Sequence, residues 1–135
     1  MALTTALAGT VASRLPKVAS PQTHSMLDYA MASVFFVAGG WFWKRNRRAS
    51  VAAFANGGVI AAVALATNYP GGVRKKISYR MHGGIESVLP AVTASLPSIG
   101  GFSEKKEAQF FSIMAIATVA VAALTKFEQN KGFAS

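Results

Sequence analysis

Two long stretches of this chain carry no charged residue. One runs from Ala49 to Tyr69 and the other from Ala108 to Thr125. A helix needs roughly 18–20 such residues to cross the hydrocarbon core of a bilayer. Two further apolar runs precede them, so four spans are predicted: Ser25 to Trp43, Ala49 to Thr67, Gly83 to Phe102 and Ala108 to Thr125. No strand pattern competes over these lengths, and in lipid a helix satisfies its own backbone hydrogen bonds. The expected fold is all-α: a polytopic membrane protein of four transmembrane helices.

Composition agrees. Of 135 residues, 52% are hydrophobic and 14% charged, whereas soluble domains carry about a quarter charged residues. With no cysteine, disulfides, thiolate metal sites and cysteine nucleophiles are excluded. The net charge of +9 lies in short turns between apolar runs, which points to lipid headgroups rather than nucleic acid. Trp41, Trp43, Tyr69, Phe102, Phe110 and Phe111 fall near span ends, where aromatic rings favour the membrane interface.

The short turns Lys44–Arg48 and Ser103–Glu107 make two tight hairpins. Four spans put both termini on one side, with Arg14, Lys17, Arg74, Lys75, Lys76, Arg80, Lys126 and Lys131. Lys44, Arg45, Arg47, Arg48, Lys105 and Lys106 lie on the other. Eight against six favours cytoplasmic termini. Residues 1–23 form a leader. Leu3, Leu7, Val11 and Leu15 recur at helical spacing and suggest a short interfacial helix. Arg14 and Lys17 follow the apolar stretch, the reverse of the order in a signal peptide. Pro16 and Pro21 are expected to break any helix before His24.

The hairpins are repeats. The chain's two histidines, His24 and His82, stand 58 residues apart, and each precedes a carboxylate by four residues, Asp28 and Glu86. Superposing 24–69 on 82–127 also matches Val34 with Val92, Ala62 with Ala120 and Thr67 with Thr125. Arg47 and Arg48 fall on Lys105 and Lys106, and Tyr69 falls on Phe127. The units are joined by a basic loop, 70–81, and followed by a tail, 128–135. Each contains two spans, so the repeat is parallel, about an axis along the membrane normal. The His/acid pairs then share one depth, and residues four apart share a helix face.

The segment Asn68-Tyr-Pro-Gly-Gly-Val-Arg-Lys-Lys-Ile-Ser-Tyr-Arg-Met-His82, with Ile85-Glu86, Ser95-Leu-Pro97 and Gly101-Phe102, resembles the SPW-repeat family. Thr23-His24 and Leu27-Asp28-Tyr29 are similar to the opening of that family's first repeat. The likeness covers roughly 23–127. Pro97 matches the family proline, but Leu96 and Ser98 do not complete Ser-Pro-Trp, and Gly39-Gly40-Trp41 lacks the proline. The resemblance implies a small four-helix protein of the bacterial inner membrane and carries no implied activity.

Ionisable groups inside a span cost about 2.5–3.5 kcal/mol each at the centre, so His24, Asp28, His82 and Glu86 need compensation. The leading expectation is structural. Each histidine bonds its own i+4 carboxylate, or Arg74 and Arg80 pair with the acids, and the acids gain from the helix dipole in their first turns. A metal site is the alternative, since two imidazoles and two carboxylates suit zinc, iron or manganese. Ligation of a haem or chlorin pigment and proton transfer are the others. Ala49, Ala53, Gly57 and Ala61 form a small-residue seam, for packing within the bundle or against a partner. No catalytic set stands out. A non-catalytic accessory subunit of a larger membrane complex, with no cofactor, is therefore the first functional expectation. A small metal- or pigment-binding membrane protein is the second.

Overall fold

The structure is a computed structural model, described for residues 19–125; the suggested interfacial helix and the C-terminal tail lie outside them. Among these residues there are four helices and no strand: α1 Pro21–Phe42, α2 Arg47–Ala66, α3 Tyr79–Ile99 and α4 Glu107–Ala123. Helices α1 and α2 are long and apolar enough to cross a membrane; α4 is apolar but shorter. In α3, Arg80, His82 and Glu86 lower the apolar character, and Pro90 and Pro97 lie within the helix.

Helices α1 and α3 each start four residues before the spans expected from sequence, at Pro21 rather than Ser25 and at Tyr79 rather than Gly83. Pro21 does not break a helix; it opens α1 at the first helical position, where a missing N–H costs nothing. Ser20 Oγ caps it by accepting from Thr23 N at 3.2 Å. At the equivalent place in the second repeat, Ser78 Oγ accepts from Met81 N at 3.0 Å. Both helices therefore start ahead of their histidines. Asp28 and Glu86 lie about two turns in, beyond the first turn where a helix dipole favours an acid.

Helices α1 and α2 pack as one hairpin and α3 and α4 as the other. Ala49, Ala53 and Gly57 of the seam are buried, while Ala61 is part-buried. They face α1: a Cβ on Gly57 would stand 2.8 Å from Phe35 Cβ and 3.2 Å from Ala32 O. Ser50 Oγ donates to Gly39 O at 2.6 Å across the same contact. The seam is thus used inside the hairpin.

The hairpins meet through different chemistry at their two ends. At the turn end the core is aromatic, with Phe35 and Phe42 of α1 against Phe110 of α4 at 5.3 and 5.7 Å between ring centroids. Phe102 and Phe111 are buried in this core, not at an interface; Trp41 and Trp43 are the exposed rings there. Arg45 and Arg47 lie over those two rings, 4.9 and 3.5 Å from the centroids. At the other end the core is polar. There backbone pairs tie the hairpins together with the repeat's own offset: Ala19 N donates to Leu124 O at 2.9 Å, and Ile77 N to Ala66 O at 2.8 Å.

The outward faces of all four helices carry large apolar side chains, among them Val37, Val59, Val88 and Ile116. His24, Ser50, Asn56, His82, Thr93 and Thr118 are buried instead. In water such a distribution forfeits the hydrophobic drive to fold; in hydrocarbon it satisfies polar groups inside and exposes the rest.

Candidate metal centre

His24, Asp28, His82 and Glu86 are all buried, and one ligand atom from each lies within 4.8 Å of every other. The repeat's symmetry is carried into the side chains, but the close pairs cross between hairpins. His24 Nε2 is 3.0 Å from Glu86 Oε2, and His82 Nε2 is 3.2 Å from Asp28 Oδ2. The i+4 pairs expected from sequence are longer: 3.4 Å for His24–Asp28 and 3.8 Å for His82–Glu86. Arg74 and Arg80 are exposed, and no ion pair from either reaches these acids among the described residues.

Two threonines orient the imidazoles. His24 Nδ1 lies 2.6 Å from Thr125 Oγ1, and His82 Nδ1 lies 2.8 Å from Thr67 Oγ1. Each hydroxyl has one hydrogen, and each gives it to the carbonyl four residues back, Thr125 to Val121 and Thr67 to Val63. The threonine oxygens must therefore accept, which assigns a proton to Nδ1 of both rings. Each histidine of one hairpin is held by the threonine that ends the other. In the loop, Gly72 lets the chain turn back tightly over Thr67, since a Cβ there would stand 1.8 Å from Thr67 O.

With Nδ1 protonated, a neutral imidazole presents a lone pair at Nε2. The two Nε2 atoms face each other at 3.2 Å. Glu86 Oε2 points among them yet receives no hydrogen bond of acceptable geometry. Four electron-rich atoms thus converge in a buried space. Two neutral imidazoles and two carboxylates would leave two negative charges there, a heavy desolvation cost. Protonating both rings would also balance the charge, with each Nε2–H beside its crossed carboxylate, but would hold two cationic nitrogens 3.2 Å apart. A divalent cation balances it without that clash. Its ligands, about 2.0–2.2 Å from the ion, would be about 2.8–3.6 Å apart in octahedral to tetrahedral arrangements. The five separations that involve a histidine, 3.0 to 3.8 Å, fall in or next to that range, and all four ligand atoms lie within 4.8 Å of one another.

Tyr69, from the loop between the hairpins, donates to Asp28 Oδ2 at 2.8 Å. Burial first, and the Asp28 carboxylate second, push its hydroxyl well above the ordinary tyrosine range, so it remains a donor. Sequence reasoning placed Tyr69 at a membrane interface and gave Thr67 and Thr125 no role, although both threonines stood on one column of the repeat. The adjoining cavity is about 20 Å³, against several hundred, roughly 300–1,000 Å³, for sites that take larger organic ligands.

Comparison of the chain with protein-family models, curated proteins and solved structures gives no match.

Proposed function

We propose that this is an integral membrane protein that binds one divalent transition-metal ion between its two hairpins through His24, Asp28, His82 and Glu86. The carrying observation is the pair of imidazoles whose Nδ1 atoms are tied to Thr125 and Thr67 and whose Nε2 atoms converge on two carboxylates. Such anchoring is how ligating histidines are commonly held, with the second ring nitrogen fixed by a hydrogen bond. Zinc, iron(II) and manganese(II) suit a set of two nitrogens and two oxygens. The inside-out distribution of polar and apolar residues supports four crossings, and α1 and α2 are each long and apolar enough for one. The parallel hairpins, termini on the cytoplasmic face and kinship with SPW-repeat proteins belong to the same proposal. The accessory-subunit reading keeps its other motives, small size and no evident catalytic set, while the seam that also motivated it packs within the first hairpin.

The test is metal analysis of protein purified in mild detergent and reloaded separately with each of the three ions. One equivalent per chain, abolished in His24→Ala and His82→Ala, is expected. Wild-type protein that retains none of them would overturn the proposal.

A further inference from the structure

The ligand cluster borders a small cavity of about 20 Å³, lined on one side by Asp28, His82 and Glu86. A space of that size holds a single molecule as small as water. Two of its other walls are Ile85 and Leu89. The same two side chains form the inner wall of a much larger groove, about 660 Å³, on the outside of the bundle between α2 and α3. Its lining is aliphatic apart from Asn56. Only Ile85 and Leu89 line both spaces, and they separate the outside of the bundle from the ligand cluster.

The groove breaks the internal symmetry. Shifting Gly84 and Asn56 by the repeat offset leads to Met26 and Met114. Where Met26 projects outward from α1, Gly84 leaves open space: a Cβ there would meet no atom within 4 Å. The buried pair Thr93 and Asn56, bonded at 3.1 Å, stands where the other face has Phe35 and Met114. The two flanks of the centre therefore differ: the α2–α3 flank carries the groove at Gly84 and Asn56, and the other carries Met26 and Met114 at the equivalent positions.

We infer that this groove is a bilayer-side entrance through which a small, neutral, lipid-soluble diatomic molecule passes between Ile85 and Leu89 and binds the metal at the face turned to the cavity. This rests on the metal-binding reading. Cavity size sets the ligand's size, and the aliphatic walls set its polarity: an ion would lose its hydration with nothing in return, whereas an apolar diatomic loses little. Four protein ligands leave room for one or two more around iron(II) or manganese(II), which accept five or six. Three of the four residues border the cavity, so a molecule held there would lie beside the bound ion. The event is reversible ligation: the incoming molecule would add to the ion without displacing a protein ligand, and the complex as a whole gains and loses no electron.

The test uses full-length protein in lipid nanodiscs, loaded anaerobically with iron(II), with nitric oxide as the probe. An iron–nitrosyl absorption band and its electron paramagnetic resonance signal report binding; stopped-flow absorbance gives the rate. Gly84→Phe fills the mouth of the groove, and Val88→Trp, at an exposed position on the same wall, serves if the first variant does not assemble. Either should slow association by roughly tenfold or more at unchanged iron content, while Met26→Phe on the opposite flank should leave the rate as in wild type. Iron-loaded protein that forms no nitrosyl overturns this inference and leaves metal binding intact. So does a rate equal in all variants. Failure to bind iron also overturns it, and the zinc and manganese analyses then decide the metal-binding proposal separately.

Discussion

Thr125, at the end of α4, holds His24 of α1 through a 2.6 Å contact between Oγ1 and Nδ1. Its repeat mate Thr67 holds His82 in the same way at 2.8 Å. The orientation of each Nε2 thus depends on the opposite hairpin.

Replacing those hydroxyls should weaken metal binding without removing a ligand. Thr67→Val and Thr125→Val keep the shape and lose the acceptor, and outer-shell losses of this kind typically cost 10–100-fold in affinity, about 1.4–2.7 kcal/mol. Competition with a chromophoric chelator measures this. Thr→Ser should restore most of the affinity; Val variants that bind as tightly as wild type would refute the role.

Metal should stabilise the assembled bundle. A ligand that binds only the folded form at 100 times its Kd adds about 2.7 kcal/mol. Saturating metal is therefore expected to raise the detergent melting temperature of wild type and to leave His24→Ala/His82→Ala unmoved. An equal rise in both would place the binding elsewhere.

Asp28→Ala and Glu86→Ala should destabilise the protein far more than Glu104→Ala. The first two acids are buried beside histidines, and Glu104 is exposed in a turn. In the metal-loaded protein each acid pairs with the proposed cation, and breaking a buried charge pair costs about 3–5 kcal/mol, whereas an exposed site away from such features changes stability by about 0.5 kcal/mol or less. Equal melting temperatures for the three variants would contradict the crossed-pair arrangement.

Gly57→Leu should pry α1 from α2. Its first side-chain atom already meets Phe35 and Ala32, so overpacking of about 1–3 kcal/mol is expected. Gly58→Ala, next in sequence, meets nothing within 4 Å and should be neutral. Thermal melts of the pair check the packing direct.

The absence of cysteine makes topology measurable by single-cysteine labelling. Lys44→Cys and Glu104→Cys, in the two hairpin turns, should react from one side of sealed vesicles, and Val73→Cys, in the connecting loop, from the other. Labelling of Lys44→Cys and Glu104→Cys from opposite sides would break the parallel repeat.

Much of this was legible in the chain because duplication writes its register twice. The four helices, both hairpin turns and the column shared by His24 and His82 follow from charge-free runs and the 58-residue offset. What spacing could not give was partnership across the bundle. Residues four apart reveal a common helix face, not which face lies opposite, so the shorter His24–Glu86 and His82–Asp28 approaches stayed hidden. Pro21 was misread because proline ends one helix and begins the next with the same ring. Phe102 and Phe111 looked interfacial because an aromatic residue near a span end serves a buried core equally well.

The crossing of threonines and carboxylates between hairpins also makes each half of the molecule chemically unfinished. Alone, a single hairpin would carry an imidazole whose anchor and nearest anion both belong to someone else. Only the other half, or a twin of itself, could complete it.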